Sequence, residues 1–342
     1  MACCLMMNEL TSSTAPLNGV AELLVHQLAN HNAMAHYDFR SDLLRSLEVF
    51  KRNRALLAKH PGSVDLAEEF SRATGLSPRQ FIELCLVIGT PYRMVNAGSL
   101  IADDPTFFID KNRFSKMNLS DAEMTSFFGT VARTAQELAD YLPTQGERPF
   151  ADTTVFQSWP VIRAADSERY YCCDVASLMD KTGRGLYWTL FGTASKFIKG
   201  KLGGTYGRAF ESYLHDCVRC AGFAQDAYID GPTFSDGAEV CDGMFTDGPN
   251  LILCEYKSSV LRADAKLSGR LDLLEPDIRR KFVTGDEDGR KGIAQLSLSI
   301  ERLLQGEPVA GMPARKWRIV QPVMVSSIAC RSGSCHAPEL PR

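Results

Sequence analysis

AEVCDGMFTDGPNLILCEYKSS, residues 238–259, sets two short apolar runs on either side of a cluster of turn formers. Asp247, Gly248, Pro249 and Asn250 supply the turn, and the pattern predicts a β-hairpin with strands at about 239–245 and 251–258. If Thr246 pairs with Leu251, Asp242 falls opposite Glu255. Opposed Cβ atoms stand ~4.5–5.5 Å apart, near enough for two carboxylates to share one divalent ion. Alternation then puts Lys257 on the face of Glu255 and turns Ile252, Cys254 and Tyr256 to the other. The run LILCEYK is apolar in its first half, as a central strand is, and burying unpaired carboxylates there costs several kcal/mol. A divalent cation removes that cost. Asp247 and Glu239 are rival carboxylates, but Asp247 belongs to the turn and Glu239 to the opposite strand face.

Outward from the hairpin, GRAFESYLHDCVRCAGF (207–223) reads as a helix with Phe210, Leu214, Cys217 and Ala221 on one stripe. Glu211 sits at the edge of that stripe, from where its carboxylate can reach a sheet edge. After the hairpin, DGRKGIAQLSLSIERLL (288–304) reads as a helix and KWRIVQPVMVSS (316–327) as containing a strand. Lys291 and Gln295, four apart, share a polar face opposite Ile293, Leu296, Ile300 and Leu304.

The order of these features, a helix with Glu211, a strand with Asp242, a strand with Glu255-Tyr256-Lys257 and a helix with Gln295, resembles the PD-(D/E)XK nuclease superfamily, the restriction-endonuclease-like fold. The resemblance covers about residues 205–326. It departs from the family pattern in lacking a proline before Asp242 and in carrying Ser299 where one helical branch has a tyrosine four residues after the glutamine. It implies a metal-dependent phosphodiesterase acting on nucleic acid, DNA foremost and RNA as the alternative. Asp242, Glu255 and the Tyr256 carbonyl would hold magnesium or manganese through oxygen ligands, with Glu211 touching the metal directly or through water. Lys257 would orient the attacking water or stabilise charge at phosphorus, and Gln295 would position the backbone or the lysine. Attached helical domains in such proteins imply a prokaryotic anti-phage defence effector, triggered by an activating protein or phage component. Paired sites cutting two strands would make a homodimer reasonable.

The remainder predicts an all-helical N-terminal domain, residues 1–150, that senses, regulates or recruits. A nuclease-like α/β domain, 151–342, follows, with a central mixed sheet flanked by helices. Apolar positions three and four apart recur from about 20 to 142, as at Leu43, Leu44, Leu47 and Phe50. Within them LAEEFSRATGLSPRQFIELCLVI (66–88) has the outline of a helix-turn-helix, with Arg79 and Gln80 as its only obvious base readers, so a plain helical hairpin is favoured. A DNA-binding regulator on a nuclease-like scaffold is the non-enzymatic alternative. TTVFQSWPVI, ERYYCCDV and GLYWTLF, between 153 and 191, read as short β-rich runs, followed by a glycine-rich connection, KGKLGGTYG (199–207), that lacks the Lys-Ser/Thr of a P-loop. From 184 to 219 six basic residues face two acidic ones among interleaved aromatics, which makes Lys199, Lys201, Arg208 and, further on, Lys291 candidate phosphate contacts.

The chain has 342 residues, 45% of them hydrophobic and 23% charged, with net charge −3, which excludes a disordered tail and an indiscriminate coat for nucleic acid. No apolar run reaches the ~18–20 residues of a bilayer span, and the N-terminal apolar patch lacks a basic leader, so no membrane partner and a cytoplasmic place are expected. Eleven cysteines, odd in number and scattered, read as free thiols rather than a disulfide framework. Cys217 and Cys220 have no second pair at zinc spacing, although Cys330, Cys335 and His336 could add ligands. His26, His31 and His36, five apart, do not converge on a helix.

Overall fold

The computed structural model describes residues 39–94, 108–141, 154–165, 169–224, 226–258, 261, 271–284, 292–312 and 316–326. The histidines at 26, 31 and 36, Lys291, and the Cys330, Cys335 and His336 group lie outside them. The described residues form a mixed α/β structure with two sheets and two hydrophobic cores.

The first core is built on helices α1 (Phe39–Leu56), α2 (Leu66–Thr74) and α3 (Pro78–Met94). Asp65 caps α2 by accepting from the Ala67 and Glu68 amides, and Gly75 ends it with φ of 73°, a conformation that glycine adopts without strain. Asn53, buried on α1, donates to the Val64 carbonyl and accepts from the Leu66 amide, which fastens the α1–α2 loop. A chain of edge-to-face rings, Phe50, Phe70, Phe81, Phe127 and Phe128, runs through the middle. Phe81, Leu84, Cys85 and Ile88 of α3 are fully buried in it. The 66–88 segment is therefore a helical hairpin whose second helix is part of the core. Its two base-reader candidates are engaged within the chain, Arg79 by Glu83 and Gln80 by Ser77 and Glu123.

Three expectations are corrected. The N-terminal part is not all-helical: β1 (Phe108–Ile109) and β2 (Ala132–Thr134) flank α4 (Asp121–Val131), and α5 (Ala135–Tyr141) follows. Strands of two and three residues show no periodicity, and only pairing with β3 (Val161–Arg163) and β4 (Tyr170–Cys172), in the order β1-β4-β3-β2, makes them strands. This small sheet crosses position 150, and the first core extends to Phe210. Second, one of the supposed β-rich runs is helical, α8 at Gly185–Thr193, and TTVFQSWPVI begins as a helix, α6 at Thr154–Ser158, before its last residues enter β3, with α7 (Val175–Asp180) between the two helices. In α8, Leu186, Thr189 and Leu190 are buried at helical spacing, and that packing overrides the β propensity of its aromatic and β-branched residues. Third, the glycine-rich connection is the interior of α9 (Lys196–Cys220), a 25-residue helix capped by Ser195. Leu202, Tyr206, Ala209 and Phe210 bury one stripe of α9 against the first core, which offsets the glycines' poor helix propensity.

The second half of α9 passes to the second core. There β5 (Tyr228–Asp230), β6 (Gly243–Asp247), β7 (Asn250–Lys257) and β8 (Ile319–Ser326) form one sheet in that order, antiparallel except for β7 and β8, which run parallel. The crossover between the parallel strands includes α10 (Leu271–Ile278), a π-helical turn (Arg279–Val283) and α11 (Ile293–Leu304). Met244, Leu251 and Leu253 meet Leu296 and Leu303 of α11 on one face of the sheet. The apolar stripe expected on α11 is adjusted accordingly: Leu296, Ser299 and Leu303 face inward, while Ile293 and Leu304 are exposed. No described helix is long and apolar enough to cross a membrane.

Candidate active site

The hairpin has the expected register. Thr246 pairs with Leu251 and Gly243 with Cys254, so the next position brings Asp242 level with Glu255. The turn is tighter than the sequence suggests: Asp247 pairs with Asn250, and Gly248, at φ 53°, takes the left-handed backbone that the two-residue turn requires. The first strand begins at Gly243 rather than Glu239. The preceding residues leave the ladder because the Gly231 amide takes the Asp242 carbonyl and the Val240 amide takes the Pro232 carbonyl. Asp242 is thereby free to turn its carboxylate to the Tyr256 amide, which donates to Oδ2.

Glu255 is 1% exposed, at the point where the apolar strand face meets the start of α11. Its Oε1 accepts from Lys257 Nζ, while Oε2 is buried and, among the described residues, has no hydrogen-bond partner. Burial raises the Glu255 pKa, opposed by Lys257 and by the backbone amide of Gly292, the residue that precedes α11. Asp242, half-buried, is pushed up to about 7, first by burial and then by the charge of Glu255, with Glu211 adding to it. The Tyr256 amide and Lys257 act the other way. Glu211, Asp242, Glu255 and Lys257 thus share one electrostatic site drawn from α9, the loop before β6, and β7.

Gly207 lets α9 approach this site: a Cβ there would meet Ser258 Oγ at 3.0 Å, just past the end of β7. One turn later comes Glu211, 40% exposed and 3.5 Å from His215 Nε2. His215 Nδ1 lies 2.7 Å from the Tyr228 hydroxyl, which lies 2.9 Å from the Tyr256 hydroxyl. This Glu211-His215-Tyr228-Tyr256 chain links the helix carboxylate to the residue whose amide holds Asp242. The sequence reading missed it, although the spacing of four between Glu211 and His215 is a usable signal. Gln295 stands half-buried in the first turn of α11 and, among the described residues, shares no hydrogen bond with the other four. Ser299 is buried and donates to the Val240 carbonyl at 2.6 Å, which ties α11 to the chain two residues before Asp242. A tyrosine ring has no room at that position.

Of the phosphate-contact candidates, Arg208 is turned to the first core, donating to Ser63 at 2.7 Å. Lys199 and Lys201 lie near the other end of α9. Cys217 and Cys220 are exposed free thiols. An apolar groove of about 730 Å³, lined by Leu214, Phe245, Ile252 and Val323, occupies the opposite face of the sheet and includes neither Glu255 nor Lys257.

Among the described residues no three carboxylate, histidine or thiol side chains converge closely enough to cage an ion. Two oxygen ligands with a buried orphan oxygen suit magnesium, which keeps several waters and takes one or two carboxylates. Compared with family models, curated proteins and solved structures, the chain matches none.

The raised pKa of Asp242 has a measurable sign. Between the unfolded value near 4 and about 7 the folded protein holds a proton that the unfolded chain releases, so this group's contribution to stability falls as pH rises through that window. Asp242→Asn keeps an acceptor for the Tyr256 amide but removes the charge. In EDTA it is expected to stabilise the protein by about 2 kcal/mol at pH 8, and by little at pH 4.5, as read from urea midpoints. Equal midpoints at pH 8 would contradict this electrostatic account.

Proposed function

We propose that the chain is a metal-dependent nuclease of the PD-(D/E)XK kind, hydrolysing phosphodiester bonds in nucleic acid, DNA foremost. One observation carries the reading. Glu255 is buried with a carboxylate oxygen that has no partner among the described residues, beside a second raised carboxylate, Asp242, and the lysine that neutralises it emerges from the same strand face. A chain does not gather such groups for stability, since two desolvated carboxylates repel and one lysine answers only one of them. The order helix, antiparallel strands, helix, parallel strand supports the same reading.

Asp242, Glu255 and the Tyr256 carbonyl would hold magnesium or manganese, which when bound supplies Lewis acidity at the phosphate and a more acidic water. Lys257 Nζ, held by Glu255, would orient the attacking water and meet negative charge growing on the phosphate oxygens. Glu211, 3.5 Å from His215 Nε2, approaches from α9 and would touch the metal directly or through water. The regulator alternative draws no support from the 66–88 hairpin, where Arg79 and Gln80 already have partners inside the chain.

The test is cleavage of supercoiled plasmid and, separately, of single-stranded RNA by the purified full chain with magnesium, manganese, calcium or EDTA. Cleavage with magnesium or manganese and none in EDTA is expected, and the substrate that is cut identifies the nucleic acid. Cleavage that persists in EDTA would remove the metal from the proposal.

A further inference from the structure

Three aromatic side chains of α8 and α9 are exposed, although Trp188 and Phe191 also touch Tyr187, which packs against the first core. Phe197 is 69% exposed, Trp188 40% and Phe191 37%. Lys201 Nζ stands 4.4 Å from the centroid of the Phe197 ring, and Lys199 Nζ 5.6 Å from that of Phe191. Lys199 also donates to the Gly192 carbonyl at 3.2 Å, which holds the start of α9 against the end of α8. Trp188 packs edge-on to Phe191 with centroids 5.8 Å apart, which makes one aromatic pair with Lys199 beside it, and Phe197 with Lys201 makes a second group near the start of α9. From Gly185 to Phe210 the sequence contains no acidic residue, so Lys196, Lys199 and Lys201 have no carboxylate within that stretch.

We propose that this patch is a docking platform for single-stranded nucleic acid, an inference that takes its purpose from the nuclease reading above. Flat apolar rings accept unstacked bases, and lysines beside them accept the phosphates between those bases. A wholly apolar partner would bury the ammonium groups without anions, and a stacked duplex would offer the rings no base face. Duplex DNA satisfies the lysines alone. The platform also points to the candidate active site. Phe197 and Glu211 lie on the same helix, fourteen residues and so ~21 Å apart. Between them, Gly200 and Gly203 have nothing within 4 Å of an added Cβ, while Gly204 has Arg208 Nη1 at 3.6 Å and Gly207 has Ser258 Oγ at 3.0 Å.

The platform is tested with the full chain in EDTA, where binding is independent of cleavage, using fluorescein-labelled dT20, rU20 and a 20-base-pair duplex. The expected result is that dT20 and rU20 bind within threefold of each other, at least tenfold tighter than the duplex, and quench tryptophan fluorescence. Phe197→Ala and Trp188→Ala should each weaken dT20 at least tenfold, Phe197→Tyr should restore binding, and the quench should vanish in Trp188→Ala. Replacing Lys196, Lys199 and Lys201 together by Gln should lower the slope of log affinity against log salt by about 2, at ~0.7 per phosphate contact. Unchanged affinity in the two aromatic-to-Ala variants, equal binding of the duplex, or a sugar preference above tenfold would overturn the platform. So would self-association through Phe197 with no oligonucleotide binding. A chain that cuts plasmid yet ignores dT20 loses the platform and keeps the nuclease reading. One that binds dT20 as described but cleaves nothing loses the nuclease reading alone.

Discussion

Glu255→Gln is expected to lower magnesium-dependent cleavage by about a thousandfold or more while leaving the fold intact. Glutamine fills the same volume on β7 and keeps an acceptor oxygen, but it offers the metal no charge and leaves Lys257 without its anion. It also relieves Asp242, whose pKa is raised by burial and next by the charge of Glu255, which offsets the stranding of Lys257, 17% exposed, so the metal-free variant should unfold no earlier than the parent at pH 8. Loss of activity with unchanged or raised stability is the signature of a working group rather than a structural one. Lys257→Ala should lose activity to a similar degree but with a stability penalty, because removing one partner of a buried ion pair strands the other, at about 3–5 kcal/mol unless Glu255 takes up a proton. That penalty should shrink at pH 5, where protonation of Glu255 is easier. Manganese should raise the melting temperature of the parent protein at pH 8 and not that of Glu255→Gln. Full cleavage by Glu255→Gln would dismiss the proposed site.

Gly292→Ala is expected to cost about 3 kcal/mol or more and to carry cleavage down with it. Gly292 has φ of 63°, and a Cβ there would stand 2.2 Å from the Phe282 carbonyl oxygen and 2.8 Å from its carbon. Backbone atoms cannot rotate aside as a side chain can, so the π-helical turn Arg279–Val283 or the start of α11 must move. Either shift displaces the Gly292 amide, which helps keep Glu255 charged, and loosens Gln295 in the first turn of α11. The loss should appear as a lower urea midpoint together with a fall in kcat. The edge-to-face phenylalanines of the first core, which lie in another cluster, should keep their near-ultraviolet circular dichroism until higher denaturant. A variant as stable and active as the parent would show that the tight approach of Gly292 to Phe282 has no consequence.

The site divides into parts that could be read and parts that could not. The hairpin register was legible because it depends on local chemistry. Gly248-Pro249 turns the chain, and a period of two sets Glu255 and Lys257 on one face with Asp242 level with Glu255. Even so the first strand was drawn too long, since the amide of Gly231 and the carbonyl of Pro232, outside the hairpin, take the backbone groups of Asp242 and Val240. The glycine-rich run at 199–207 and the aromatic run at 185–191 were misread for a related reason. Local propensity opposes a helix in both, and only burial of Leu202, Tyr206, Leu186 and Leu190 in the first core makes them helical.

By itself the amino-acid sequence determined the hairpin, its register, and the order of helix, strands and helix that bears Glu211, Asp242, Glu255, Lys257 and Gln295. Those follow from turn residues and periodicities that act within a few positions. Only the tertiary structure decided that Glu255 is buried with one oxygen unpartnered among the described residues, that His215 and two tyrosines link Glu211 to β7, and that the rings of Trp188, Phe191 and Phe197 stay exposed. Burial, and the pKa shifts that come with it, depend on which distant elements pack together, and no local pattern encodes that.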